Sequence, residues 1–197
     1  MANKMQQTYI IEHLEPKLFK WCIYEYEHIS QIVGKANLLF TNIKTKADKI
    51  KLQRYGKVLS KRVCELKLDI RKSCILDPES SKLLNPKEAK KFNYFIFGGI
   101  LGDYPPRKRT KTELTCFIKE AITRNIGKKQ MSTDNAVYTV HEIAKGKKLE
   151  NLKFKNKISI TINNIESIEL PYLYNLVNNK PFISPKVVDY LKNKKGF

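Results

Sequence analysis

Four apolar residues in a row, Tyr94-Phe95-Ile96-Phe97, pass straight into Gly98-Gly99-Ile100-Leu101-Gly102-Asp103. A strand with no polar alternation must be covered on both faces, the condition of a parallel sheet held between helices. The rest of the chain alternates in the same sense. Thr8–His13 is β-branched and aromatic. Pro16 then opens a helical pattern through Leu18, Trp21, Cys22, Tyr24, Glu25, Ile29, Ile32 and Val33, which Gly34 stops. Ala36–Thr41 reads as a second strand, and Ser73–Leu76 as another that ends in the turn signal Asp77-Pro78. Pro86 starts a short helix, Thr110–Lys119 is helix-like, and Glu120–Ile126 is strand-like. Ser132-Thr133-Asp134 caps a helix through about Lys145. Two alternating runs, Lys157–Ile162 and Ser167–Leu170, flank Asn163-Asn164 and predict a hairpin, and Pro181–Phe197 closes the chain with a last helix. The expectation is an α/β fold with a mostly parallel sheet, helices on both faces and a short hairpin and tail.

The length of 197 residues suits one domain, and 42% hydrophobic residues supply a core. No apolar stretch approaches the roughly 20 residues of a membrane span. The start, MANKMQQTYIIEH, lacks the apolar core and small-residue cleavage site of a signal peptide. Cys22, Cys64, Cys74 and Cys116 form no CxxC pair, and His13, His28 and His141 supply no zinc pattern. The expectation is therefore a cytoplasmic protein with reduced thiols, no structural metal and no membrane contact.

Charge narrows the partners. Thirty-eight Lys and Arg oppose nineteen Asp and Glu, a formal net charge of +19. Such a field draws polyanions such as RNA and ribosomes. Only six of the 38 are arginines, so AT-rich codon usage is an alternative source of the lysines. The charge concentrates in residues 43–62, where Lys44, Lys46, Lys49, Lys51, Arg54, Lys57, Lys61 and Arg62 face Asp48 alone. Interleaved Ile43, Ala47, Ile50, Tyr55 and Leu59 allow a basic amphipathic helix, either a solvated face or a docking patch for rRNA or an acidic partner.

Ligands of open α/β sheets bind at the carboxyl ends of strands. Three loops qualify: Leu76-Asp77-Pro78, Gly98–Asp103 and Gly127–Met131. Glycines there let backbone approach a ligand. The pattern is neither a dinucleotide fingerprint nor a phosphate loop, since no GxGxxG opens a helix and no GK[ST] follows.

The string KFNYFIFGGILGDYPPRKRT at Lys91–Thr110 resembles the SPOUT-class methyltransferases related to the fungal ribosomal-protein arginine methyltransferase. The likeness takes in YIIEHLEP at Tyr9–Pro16, Trp21-x3-Glu25-Tyr26 and Leu76-Asp77-Pro78. It continues through Gly127-x-Lys129-Gln130-Met131-Ser132-Thr133-Asp134, Glu169-x-Pro171 and Asn179-Lys180-Pro181. Residues 43–62 and the extreme tail match poorly. The resemblance implies one domain over residues 1–197, with a deep trefoil knot in a cofactor-binding part at about 73–146 and an appended hairpin and tail at 157–197. Composition cannot show a knot, which departs from ordinary chain topology. It also implies S-adenosyl-L-methionine as cofactor, held by Leu76, Asp77, Pro78, Phe97, Gly98, Gly99, Leu101, Gly102, Ile126, Gly127, Gln130, Met131 and Thr133.

The implied acceptor is an arginine of a small-subunit ribosomal protein. A guanidinium has pKa above about 12 and no free lone pair, so its methylation needs carboxylates that orient the cation and take its proton. Glu12, at the end of a strand, and Asp103, at the end of the glycine loop, are the expected catalytic groups. Glu25 is a third carboxylate if its helix faces the pocket. Trp21, Tyr24 and Tyr26 are either walls of a guanidinium site or core. Arg107, Lys108 and Arg109 are open to three roles: an RNA contact, the methionine carboxylate of the cofactor, or salt bridges. The family was long described as RNA methyltransferases, so an RNA enzyme stands as the alternative and a non-catalytic ribosome-associated module as a third. Many SPOUT enzymes are dimers, whereas this subfamily implies a monomer.

Overall fold

The computed structural model describes residues 7–163 and 166–193. Six parallel strands form the main sheet in the order β3-β2-β1-β5-β4-β6. They are β1 (Thr8–His13), β2 (Leu38–Thr41), β3 (Lys57–Val58), β4 (Ser73–Leu76), β5 (Tyr94–Gly99) and β6 (Ile122–Arg124). The mostly parallel α/β architecture is the one expected.

Side-chain parity divides the sheet. Tyr9 and Ile11 of β1, Leu38 and Phe40 of β2, Cys74 and Leu76 of β4, and Phe95 and Phe97 of β5 share one core. That core lies under α1 (Lys20–Val33) and α5 (Thr133–Ala144). Ile10, Leu39, Ile75 and Ile96 point the other way, against Val63 and Leu114. Residues one step apart on a strand face opposite sides, so continuous apolar runs are what a sheet covered twice demands.

Several elements are shorter than expected. α1 begins at Lys20, not Pro16. The Leu14 N–H extends the β1–β5 ladder to the Gly99 carbonyl at 3.1 Å. The Glu15 carboxylate holds the Leu101 N–H and Arg109, so residues 14–19 run as a loop. The helix ends at Gly34, whose φ of 83° suits glycine and whose N–H reaches the Ser30 carbonyl at 2.9 Å. The helix expected across 43–62 is only α2 (Lys46–Leu52), capped by the Thr45 hydroxyl. Gly56 then packs against the Leu38 carbonyl, where a Cβ would sit 2.7 Å from the oxygen, and the chain adds β3 to the sheet edge. The helix expected at 110–119 is α4 (Arg109–Glu113) followed by a 3-10 turn over Thr115–Phe117. The strand at 120–126 is confined to β6. α3 is the single turn Pro86–Ala89.

The carboxyl-terminal part is the expected hairpin: β7 (Phe154–Thr161) antiparallel to β8 (Ser167–Val177), with the two-residue β9 (Lys180–Pro181) on its other edge. Asn164 of the turn signal lies outside the described residues. α6 (Pro185–Asn193) packs its Val187 and Leu191 on Ile158, Ile160 and Tyr174 of the hairpin, with Trp21 and Tyr24 of α1 beside them. A buried cluster of polar side chains fastens this unit to α5. The Asn175 N–H donates to Asn135 Oδ1 at 2.8 Å, the Asn175 amide donates to the Asn135 carbonyl at 3.1 Å, and Asn135 Nδ2 donates to the Phe182 carbonyl at 2.8 Å. Of the cysteines, Cys22 and Cys74 are buried and pushed up to about 12 by that burial, while Cys64 and Cys116 are exposed; all four are free. Among the described residues no helix is long and apolar enough to cross a membrane.

Candidate active site

Parallel strands put their carboxyl ends on one edge, and here β4, β5 and β6 open onto a cavity of about 240 Å³. That is close to the lower end of small-ligand sites, roughly 300 Å³. Leu76, Asp77 and Pro78 line it from β4; Phe97, Gly98, Gly102, Asp103 and Arg107 from β5; and Ile126, Gly127, Gln130 and Met131 from β6. Thr133 closes it from the first turn of α5. The three loops picked from the sequence therefore meet in space.

The loops are tied to one another. Both oxygens of the buried Asp77 carboxylate are engaged, one by the Glu79 N–H at 2.9 Å and one by the Thr115 hydroxyl at 2.7 Å. The Lys128 ammonium reaches across to the Pro78 carbonyl at 3.2 Å. Gln130 donates to the Asp103 carbonyl at 3.1 Å, while its own carbonyl accepts the Leu173 N–H at 2.8 Å. The Tyr172 hydroxyl donates to the Gly102 carbonyl at 3.0 Å. A Cβ on Gly102 would strike the Tyr172 ring and the Gln130 amide, so this glycine lets β8 seal the loop.

Five expected residues do not line the cavity. Glu12 is the main correction. It is completely buried, and its carboxylate accepts Arg62 Nε at 2.9 Å, the Val63 N–H at 2.9 Å and the Thr41 hydroxyl at 2.5 Å. It shares the parity of Ile10, so it points to the sheet face opposite Leu76 and Phe97. Gly99 makes room for the Tyr26 hydroxyl, not for a ligand. Leu101 packs against the main core and gives its N–H to Glu15. Trp21 and Glu25 lie behind the wall rather than in it. Of the other aromatics, Tyr26 is core and Tyr24 packs edge-on against Tyr190.

Glu25 nonetheless borders the site. It sits on the inward stripe of α1 with Cys22, Tyr26 and Ile29. Trp21 Nε1 donates to its Oε1 at 2.7 Å, and Thr133, the cavity residue, lies beside it. Burial, and then the nearby Asp134, raise its pKa well above the usual carboxylate range. A carboxylate on the apolar stripe of a helix was the signal for it in the sequence. Asp103 lines the cavity together with Asp77 and Glu79, and has Arg107 Nε 4.0 Å away.

The basic loop divides its work. Arg109 spans Glu15 at 2.7 Å and Glu113 at 2.7 Å, which raise its pKa and brace the glycine loop. Lys108 pairs with Glu79 at 2.6 Å. Arg107 is 75% exposed at the mouth. Lys128 and Lys129 also border the cavity, and neither was singled out from the sequence as a contact. They follow Gly127, whose φ of 107° turns the loop inward.

The model of the family described as "Protein arginine N-methyltransferase SFM1-like" matches residues 8–196. This chain belongs to that family. It is 37% identical over 199 residues to Protein arginine N-methyltransferase SFM1 of Saccharomyces cerevisiae, covering 93% of each sequence. The crystal structure of the yeast arginine methyltransferase SFM1 complexed with SAM superposes with a TM-score of 0.87 at 35% identity, over 95% of this chain and 91% of that one. A dual-specific Trm10 from Thermococcus kodakaraensis shares the fold, with a TM-score of 0.57 at 18% identity over 73% of this chain and 95% of that one. The SPOUT-class resemblance read from the glycine loop is thus borne out.

Proposed function

We propose that this protein transfers a methyl group from S-adenosyl-L-methionine to an arginine of a small-subunit ribosomal protein. The observation that carries the reading is a glycine-lined cavity with three acids on its wall, of which Asp77 is held by the Glu79 N–H and the Thr115 hydroxyl, Glu79 by Lys108, and Asp103 has Arg107 4.0 Å away, while Glu25 is buried behind the wall.

The cavity fits the cofactor. Gly98 and Gly102 present backbone at its wall, and Phe97, Ile100, Ile126 and Met131 supply apolar surface for a flat ring. Leu76–Pro78, Gly98–Gly102 and Ile126–Met131 would hold the adenosine, with Thr133 at the floor. When bound, S-adenosyl-L-methionine supplies an electrophilic methyl group. Asp103 orients the guanidinium by charge and hydrogen bonding. The Glu25 carboxylate, held by Trp21 behind the wall, is the final acceptor of the proton that the guanidinium nitrogen loses as its bond to carbon forms, the transfer passing by way of the Thr133 hydroxyl on the cavity wall. A raised pKa suits an acceptor of a proton from so weak an acid. Tyr172, close to Glu25, fastens the glycine loop through the Gly102 carbonyl. Glu12 has no part in the chemistry, since three donors already hold it.

The same reading takes the chain as one unit acting as a cytoplasmic monomer, its cofactor part over about 73–146 following a knotted path. The surface of α2 and its flanks, with Lys46, Lys49, Lys51 and Arg54, is the proposed contact with rRNA beside the substrate.

RNA methylation is the second reading, favoured by Arg107, Lys108, Lys128 and Lys129 at the mouth. Incubation with labelled cofactor and isolated small ribosomal subunits separates the two. Label in one protein that survives nuclease supports arginine transfer; label that nuclease releases supports RNA.

A further inference from the structure

Glu25 is not the only buried ionisable group at the contact of α1 with α5. One turn further along α1, His28 is buried, and so is Asp134, the residue after Thr133 on α5. His28 Nδ1 and Asp134 Oδ2 are 2.7 Å apart. The other carboxylate oxygen of Asp134 accepts the Ser132 hydroxyl at 2.6 Å and the Asn135 N–H at 2.8 Å. The His28 ring packs against Phe182 with centroids 4.5 Å apart and planes tilted by 38°, which restricts its orientation. Two residues of one helix thus face two consecutive residues of another: Glu25 lies beside Thr133, and His28 is bonded to the next residue, Asp134.

We propose that His28 is a positioning residue for Glu25: by gripping Asp134 across the α1–α5 contact it holds Thr133 against Glu25 and tempers the negative charge that Glu25 faces. The proposal rests on the reading of Glu25 as the proton acceptor for its consequence in turnover, and for the linkage itself on the buried 2.7 Å His28–Asp134 pair one residue from Thr133, together with the charge of Asp134 near Glu25.

The charge balance around Glu25 gives the linkage its sign. Trp21 donates to Glu25 from α1, where Cys22 and Tyr26 also face it. Asp134 faces it from α5, and Tyr172 and Tyr174 from β8. Glu15 stands behind Cys22 and Tyr26. Asp134 is the neighbour on α5 whose charge opposes ionisation of Glu25. A donor on Asp134 spreads that charge; removing the donor concentrates it, and removing the charge itself relieves Glu25. The substitutions His28→Phe and Asp134→Asn therefore act in opposite directions, which loosened packing would not produce.

Trp21 is the single tryptophan of the chain, and its N–H lies on Glu25. Its fluorescence across pH in the full-length protein reads the ionisation of Glu25 with no substrate present, and Glu25→Gln identifies the transition. His28→Phe should move the midpoint up and Asp134→Asn should move it down, each by about half a unit to one unit, a three- to tenfold change in the ionised ratio. His28→Gln, which keeps an N–H donor, should return the midpoint toward wild type. Shifts of the same sign, no shift in either variant, or a wild-type curve identical to that of Glu25→Gln would overturn the proposal. Turnover of Glu25→Gln is measured separately: full activity there defeats the role of Glu25 in catalysis while leaving the linkage standing.

Discussion

The indole of Trp21 and the carboxylate of Glu25, one helical turn apart on α1, are joined at 2.7 Å. An ionisable group on the buried stripe of a helix costs stability unless it is paired, and among the described residues no cation pairs this one. The protein instead gives it donors and leaves its affinity for a proton high. Trp21→Phe keeps the ring and removes the donor, so the charged form of Glu25 loses support. The acid limb of the pH–kcat/KM profile should move up, and the rate near neutrality should fall about three- to tenfold, recovering at alkaline pH. Cofactor affinity should stay within about twofold, because Trp21 lies outside the cavity.

Glu12 behaves differently. Glu12→Gln weakens the buried pair with Arg62 and the bonds to Val63 and Thr41. Denaturant unfolding should show a loss of about 2–4 kcal/mol, slightly below the cost of breaking a fully buried pair because Arg62 retains some solvent exposure. Activity per folded molecule should remain at the wild-type level.

The glycine loop is the proposed seat of the cofactor. Gly102→Val drives a branched side chain into Tyr172 and Gln130, and Gly98→Val meets the Ile100 side chain at the cavity wall. Titration calorimetry should show cofactor affinity reduced at least about tenfold in each, with circular dichroism unchanged. Gly99→Ala should lower stability instead, since its Cβ would meet the core Tyr26.

His13 sets a pH dependence of stability. It is buried beside Tyr26, with Nδ1 2.9 Å from that hydroxyl, and burial lowers its pKa. The folded state thus binds its proton less readily than the unfolded chain, whose histidine titrates near about 6.5. The contribution is intact above about pH 6.5 and is lost as pH falls below it. Melting temperature should drop from pH 7 toward pH 5, and His13→Gln should flatten that fall.

The basic surface is read by salt. Replacing Lys46, Lys49, Lys51 and Arg54 with Gln should reduce the slope of log affinity for small ribosomal subunits against log salt by about 0.7–0.9 for each phosphate no longer neutralised. A slope equal to wild type would make the segment a solvated face.

How much of this was legible varied with the distance over which the structure decides. The three loops were readable because continuous apolar strands imply a parallel sheet, and a parallel sheet gathers its strand ends. Glu12 was correctly placed at a strand end, but its direction follows from parity: Ile10 and Glu12 share the face of Val63, whereas the cavity takes Leu76 and Phe97 from the other. The helix over 43–62 failed because hydrophobic spacing says nothing of Gly56 pressing on the Leu38 carbonyl. The His28–Asp134 pair was out of reach altogether, since its members are 106 residues apart and meet only when α5 packs on α1.

The central claim is methyl transfer to arginine through Glu25 and Asp103, and single-turnover transfer to the protein of isolated small subunits at saturating cofactor tests it most directly. Glu25→Gln should slow the step by roughly 100-fold or more, the scale of losing a general base, with cofactor affinity unchanged and label recovered as methylarginine in wild type. Full activity in Glu25→Gln and Asp103→Asn together, or label recovered in rRNA, would contradict it.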